Sequence, residues 1–172
     1  MREPAGAERV RELAAELGRV APPGTQLYLT GGATAVLEGW RETTVDIDVR
    51  IEPEDDAVMR RLVELKEELQ VNVELASPPD FVPELPGWRE RSPLVERTGN
   101  LELRHFDPYS QSLSKVERGF ELDLADVRAM VQNGMVDPAR AIELFEAIEP
   151  NLHRYPAIDP GAFRDRVQRA FE

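Results

Sequence analysis

The sequence predicts a fold of the α/β (α+β) class, with strands and helices alternating through residues 1–106 and helices alone over residues 107–172. Three observations predict it. Apolar residues recur at helical spacing at Val10, Leu13, Leu17 and Val20, and again at Val58, Leu62, Leu65 and Leu69, the pattern of amphipathic helices. Short extended runs lie among and after them, at 26–29, 44–51 and 71–75, followed by a hairpin over 94–106. Beyond that point Asp107-Pro108, Asp137-Pro138 and Asp159-Pro160 each pair an N-cap acid with proline at the first helical position.

Each element has a local justification. The first helix runs from about Ala7 to Gly18, and Pro22-Pro23-Gly24 closes it ahead of a strand, Gln26 to Leu29. Gly31-Gly32 ends that strand, and the small residues Ala33 to Gly39 form a short helix. The chain is extended again from Thr44 to Ile51. The acid-rich stretch from Glu52 to Asp56, containing Pro53, starts a helix that lasts to about Leu69. Val71 to Leu75 is a third strand, with Asn72 and Glu74 on one face and Val71, Val73 and Leu75 on the other. A proline-rich loop follows, then a hairpin of Leu94 to Arg97 and Leu101 to Phe106 turning at Gly99-Asn100. A further helix spans about Asp123 to Asn133 and stops at Gly134.

A chain of 172 residues is long enough for one domain with a real core, or for a small domain with an appendage. It contains no cysteine, which excludes disulfides and thiolate metal sites and makes the cytoplasm the default location. The N-terminal segment has no apolar leader, and no stretch reaches the roughly 18 apolar residues of a membrane span, so a soluble protein is expected. The net charge of −12 argues against broad, sequence-independent binding to nucleic acid, which needs a basic surface. Residues 88–105, with Arg89, Arg91, Arg97 and Arg104, form the least acidic stretch.

The chemistry concentrates in LYLTGGATAVLEGWRETTVDIDV, residues 27–49. Along its second strand, Asp46 and Asp48 project from one face while Val45, Ile47 and Val49 project from the other. Two like charges about 7 Å apart on one strand face repel, and a divalent cation is the economical reason for their coexistence. Mg²⁺ takes oxygen ligands and is held by one or two carboxylates together with substrate phosphates. The glycine pair Gly31-Gly32 supplies the complementary half, because glycine lets a phosphate approach the backbone and leaves N–H groups to meet it. Phosphate cradle and metal site together point to a nucleotide.

Gly31-Gly32, thirteen intervening residues and Asp46-Ile47-Asp48 resemble the signature of the nucleotidyltransferase superfamily that includes DNA polymerase β. The phrase GGATAVLEGWRETTVDIDV is most similar to AbiEii-like nucleotidyltransferases of bacterial toxin–antitoxin pairs. The resemblance implies a palm with a mixed sheet and a small helical C-terminal part. It also implies transfer of a nucleoside monophosphate from an NTP, supported by one or two Mg²⁺ ions. Its metal and catalytic set is Asp46, Asp48 and, from a neighbouring strand, Glu74, whose alternative is an exposed strand glutamate. Its nucleotide-binding set is Gly31, Gly32, Thr34, Arg41 and Lys115. Thr34 stands where the family often has a serine one or two positions earlier. The acceptor is an RNA 3′ end, a protein hydroxyl or a small molecule, and a cognate antitoxin or other partner protein is implied.

Lys115 and Arg118 are neighbours on one helix face, and Asp123 and Asp126 on the next. AbiEii-like proteins carry a lysine motif followed by an acidic element in this order, with wider spacings. Lys115 then serves a triphosphate as a compact point charge; the alternative is a surface Lys115–Arg118 pair bonded to Asp123 and Asp126 across the inter-helix turn, worth roughly 0–1 kcal/mol, with Arg118 and the two aspartates holding the helices together. His105 and His153 lack any spacing suited to zinc and read as structural or exposed, with no Ser–His–Asp grouping. Two other functions compete with transfer. One is a non-catalytic module that binds nucleotide or a protein, docking through an exposed patch at Phe81, Val82, Leu85 and Trp88; the other is a phosphohydrolase.

Overall fold

The computed structural model describes residues 2–172, which divide into two compact units. The first comprises residues up to Ser77 together with Ser92–His105; the second comprises Pro78–Arg91 and Phe106–Glu172. The chain leaves the first unit for the last time after His105. The proline-rich segment 78–91, however, belongs with the C-terminal helices rather than with the strands that flank it.

The first unit contains α1 (Ala7–Val20), β1 (Thr25–Thr30), α2 (Gly32–Glu38), β2 (Asp46–Glu52), α3 (Asp56–Glu68), β3 (Asn72–Leu75) and the hairpin β4 (Leu94–Thr98) and β5 (Leu101–His105). The five strands form one mixed sheet in the order β3-β2-β1-β5-β4. β1 runs antiparallel to β2 and parallel to β5, β3 is parallel to β2, and β4 is antiparallel to β5. Strand alternation sorts the sheet into two faces. Leu27, Leu29, Ile47, Val49, Ile51, Val73, Leu101 and Leu103 pack with Val10, Leu13 and Leu17 of α1 and Val58, Leu62 and Leu65 of α3 in one apolar core. The other face is polar: Arg104 Nε donates to Gln26 Oε1 at 2.6 Å, Gln26 donates to Glu102 at 2.8 Å, and Asp46, Asp48 and Arg50 follow along β2. The hydrogen bond from Gln26, aided by Arg104 and Arg97, holds the Glu102 carboxyl below the usual carboxylate range.

Two residues expected on the core face of their strands are exposed instead. Val45 precedes β2 and is exposed, because the pairing of Thr44 with Ala5 and the bend after it delay the strand to Asp46. Leu75 is exposed as well, at the end of the edge strand β3.

The second unit contains α4 (Pro108–Arg118), α5 (Glu121–Gln132), α6 (Pro138–Ile148), a 3₁₀ turn over Glu149–Arg154 and α7 (Pro160–Phe171). All three Asp-Pro starts form as their chemistry requires. Asp107 accepts from the Tyr109 and Ser110 N–H groups at 3.1 and 3.3 Å, Asp137 from Arg140 N–H at 2.9 Å, and Asp159 from Ala162 N–H at 3.2 Å. The proline-rich loop is not the exposed apolar patch anticipated for protein docking. Val82, Leu85 and Trp88 are buried and only Phe81 is exposed. Trp88 stacks on Phe106 with ring centroids 4.2 Å apart, and Arg89 lies over the same indole at 4.3 Å. Aromatic stacking closes this loop onto its own unit. Among the described residues, no helix is long and apolar enough to cross a membrane.

Candidate functional site

The site begins where β1 ends. Thr30 pairs with Asp48 across β1 and β2, and the chain then turns through Gly31 and Gly32 into α2. Gly31 has φ +63°, a conformation that favours glycine. A Cβ there would also stand 3.2 Å from Asp48 Oδ2. Gly32 is tighter: a Cβ would lie 2.7 Å from Thr44 Cβ and 3.1 Å from Arg41 Nη1. The glycine turn is thus packed directly against Arg41, Thr44 and Asp48, residues up to seventeen positions away in the sequence. Thr44 is itself fixed, its hydroxyl donating to Asp46 O at 2.9 Å.

The carboxylates take the predicted face. Ile47 and Val49 are buried in the core, while Asp46 and Asp48 are half-buried on the polar face of β2. Parallel pairing sets Glu74 of β3 opposite Asp48 and Asn72 opposite Asp46. Glu74 itself is exposed. Among the described residues, no group of three or more histidine, aspartate or glutamate side chains is drawn together closely enough to hold a metal ion. The donors available are all oxygens, and Gly31 sets no Cβ against Asp48 Oδ2. This suits Mg²⁺ bound by one or two carboxylates with phosphates completing its shell.

Thr34 differs from expectation. Its side chain is fully buried, and Oγ1 lies 3.0 Å from His105 Nδ1 and 3.3 Å from Leu29 O. The hydroxyl therefore serves the protein interior, and any contribution of this residue to a phosphate falls to its backbone. On the other side of the same imidazole, His105 Nε2 lies 2.8 Å from Glu38 Oε1. Burial pushes the His105 imidazole below its ordinary value of 6.5, against the opposing pull of Glu38. A neutral ring facing a carboxylate carries its proton on Nε2, leaving Nδ1 to accept from Thr34. A hydroxyl, an imidazole and a carboxylate are thus aligned, although the sequence suggests no such grouping. The signal was the register of β5: His105 is the parallel partner of Leu29, two residues before the glycine turn. That pairing is non-local and no spacing in the sequence reports it.

Lys115 also departs from the role the resemblance implies. In the second unit its ammonium lies 2.7 Å from Asp126 Oδ2 and 3.8 Å from Asp123 Oδ1, with the side chain only 10% exposed. Arg118 completes the cluster, donating to Asp123 Oδ1 from Nη2 at 2.7 Å and to Oδ2 from Nε at 3.2 Å. These four residues join α4 to α5. The ion pair is buried, not the exposed pair of the bland alternative, because Asp123 and Asp126 face inward from α5.

A mixed five-stranded sheet carrying a glycine turn against an Asp-x-Asp strand, together with a helical region, defines the palm of a nucleotidyltransferase-like protein. The chain belongs to the family described as "Nucleotidyltransferase of unknown function (DUF6036)", which it matches over residues 8–151. Neither the curated proteins nor the solved structures contain a match to it.

Proposed function

We propose that this protein transfers a nucleoside monophosphate from an NTP to an acceptor hydroxyl. The observation that carries the reading is the packing of Gly31 and Gly32 on Asp48, Thr44 and Arg41, where even one added methyl group meets a neighbour. In this reading Asp46 and Asp48 hold Mg²⁺, and Glu74, opposite Asp48, completes a second metal position. When bound, the metal neutralises phosphate charge and polarises the reacting phosphoryl group. The backbone of Gly31, Gly32 and Thr34 lets the triphosphate oxygens come close, and Arg41 adds a cation beside them. The acceptor oxygen bonds to the α-phosphorus while the bond from that phosphorus to the β-phosphate oxygen breaks. Pyrophosphate leaves with the electron pair, and the hydroxyl proton passes to water or to Glu74. Positioning and charge neutralisation are enough for such a reaction.

The motif order supports a finer assignment to the AbiEii-like group, with an RNA 3′ end, a protein hydroxyl or a small molecule as acceptor and a cognate partner protein. Lys115 takes a holding role in this reading, since Asp126 and Asp123 already match its charge. The test is incubation of the protein with Mg²⁺, cell extract and NTPs labelled at the α- or γ-phosphate. Transfer predicts α-label on an acceptor and label-free acceptor from the γ-labelled NTP. Free γ-phosphate alone identifies a phosphohydrolase, and unchanged NTP in every extract identifies a binding module.

A further inference from the structure

We propose that the second unit carries a binding site for an amphipathic anion, a carboxylate or phosphate head on an apolar body, in the cavity framed by α4, α5 and α7. The cavity has a volume of about 360 Å³, at the small end of the roughly 300–1,000 Å³ found for ligand sites. Its floor is apolar, made by Val116, Leu124 and Val127, and its rim carries Arg128, Arg166 and Arg169. Outside the cavity lining, Phe120 and Leu122 of the α4–α5 turn region are 69% and 59% exposed.

The arginines distinguish this cavity from an ordinary gap between helices. The chain has 33 acidic residues against 21 basic ones, and many of its other arginines pair with carboxylates. Arg61 meets Glu16, Glu64 and Glu68, and Arg164 meets Glu149. Among the described residues, no carboxylate pairs with Arg128, Arg166 or Arg169 within 4.0 Å. Arg166 is pinned instead by donating to Glu117 O at 2.6 Å. Three guanidinium groups gathered on one rim of an acidic protein repel one another and attract an anion, which they bind as planar forks. A bare anion would leave the apolar floor uncovered, and a neutral apolar ligand would leave the rim without counter-charge. A molecule with both parts satisfies both surfaces. This site is independent of the nucleotide reading, since every residue in it lies in the second unit.

The test uses the full chain, isotope-labelled for NMR, titrated separately with decanoate, decyl phosphate, decanol, inorganic phosphate and ATP. The expected result is saturable binding of decanoate and decyl phosphate, with shifts confined to residues 116–128 and 166–170. Decanol should bind at least about tenfold more weakly, reflecting the lost charge-assisted hydrogen bonds. The preferred head group between decanoate and decyl phosphate identifies the source of the ligand. The double variant Arg128→Gln/Arg169→Gln, at two exposed positions, should weaken decanoate binding without altering decanol binding. Ala170→Trp should block both. The proposal is overturned if decanoate fails to saturate up to its solubility limit. It is equally overturned if decanol binds as well as decanoate, if inorganic phosphate or ATP binds these arginines as well as decanoate does, or if the arginine variants leave decanoate binding unchanged.

Discussion

His105 Nε2 lies 2.8 Å from Glu38 Oε1, at the end of α2 opposite to the glycine turn. Its other nitrogen meets Thr34, one turn earlier on the same helix, at 3.0 Å. A single imidazole at the end of β5 therefore holds α2 at two points and fixes the helix that follows Gly31-Gly32.

This anchor makes stability depend on pH. Burial lowers the folded-state value of His105 below 6.5, so on acidification the unfolded chain takes up a proton before the folded one does. The unfolded state then binds more protons, and stability falls as pH drops through the interval from 6.5 down to the folded value, levelling off below it. His105→Gln should remove this component and flatten the stability profile across that interval. Chemical denaturation of both proteins at a series of pH values checks it; parallel profiles would show that His105 does not titrate differently in the two states.

Lys115→Ala should be costly. Removing the ammonium takes away the cation 2.7 Å from the buried Asp126 carboxylate, a change worth about 3–5 kcal/mol when one partner of a buried pair is lost. The double variant Lys115→Met/Asp126→Leu should recover most of that loss, since apolar groups of similar size replace a buried pair at little cost. Denaturant midpoints measure both, and an unchanged midpoint for Lys115→Ala would place the pair in solvent.

Trp88→Ala should destabilise by about 3–5 kcal/mol, the cost of an emptied aromatic site in a core. Thermal unfolding distinguishes this from a docking role, in which the free protein would unfold at the same temperature with or without the indole.

Gly32→Ala should cost about 1–3 kcal/mol through overpacking, because its Cβ would stand 2.7 Å from Thr44 Cβ. It should also weaken NTP binding, as relief of the clash pushes Thr44 and Arg41 away from the turn. A variant with native stability and native binding would mean that this glycine is not part of a close-fitting cradle.

Much of the molecule was legible in the sequence because its causes are local. Asp107, Asp137 and Asp159 declare their helices through capping chemistry that involves only the next three residues. The alternation from Asp46 to Val49 declares which side chains face the core, and it places the acidic pair correctly. Other features depend on partners distant in the chain. Segment 78–91 joins the helical unit because Trp88 finds Phe106, and no periodicity marks that stacking. The burial of Thr34 and His105 follows from β1 pairing with β5, a parallel match between strands separated by most of the first unit. The inward turn of Lys115 depends on how α5 packs on α4, which residue spacing alone left open between a phosphate contact and an ion pair.

The central claim, that Asp46 and Asp48 hold the metal beside a nucleotide cradled by Gly31-Gly32, is tested most directly by Asp48→Asn. The measurement is Mg²⁺-dependent transfer of α-labelled nucleotide, taken alongside the thermal shift produced by NTP with Mg²⁺. A ligand that binds only the folded state raises the unfolding temperature by mass action, so wild type should show both the label and the shift. Asp48→Asn should lose both while unfolding without ligand at the wild-type temperature or above it, because a repulsive carboxylate pair has been relieved. Equal label and equal shift in the two proteins would contradict the account and locate the nucleotide away from the acidic strand.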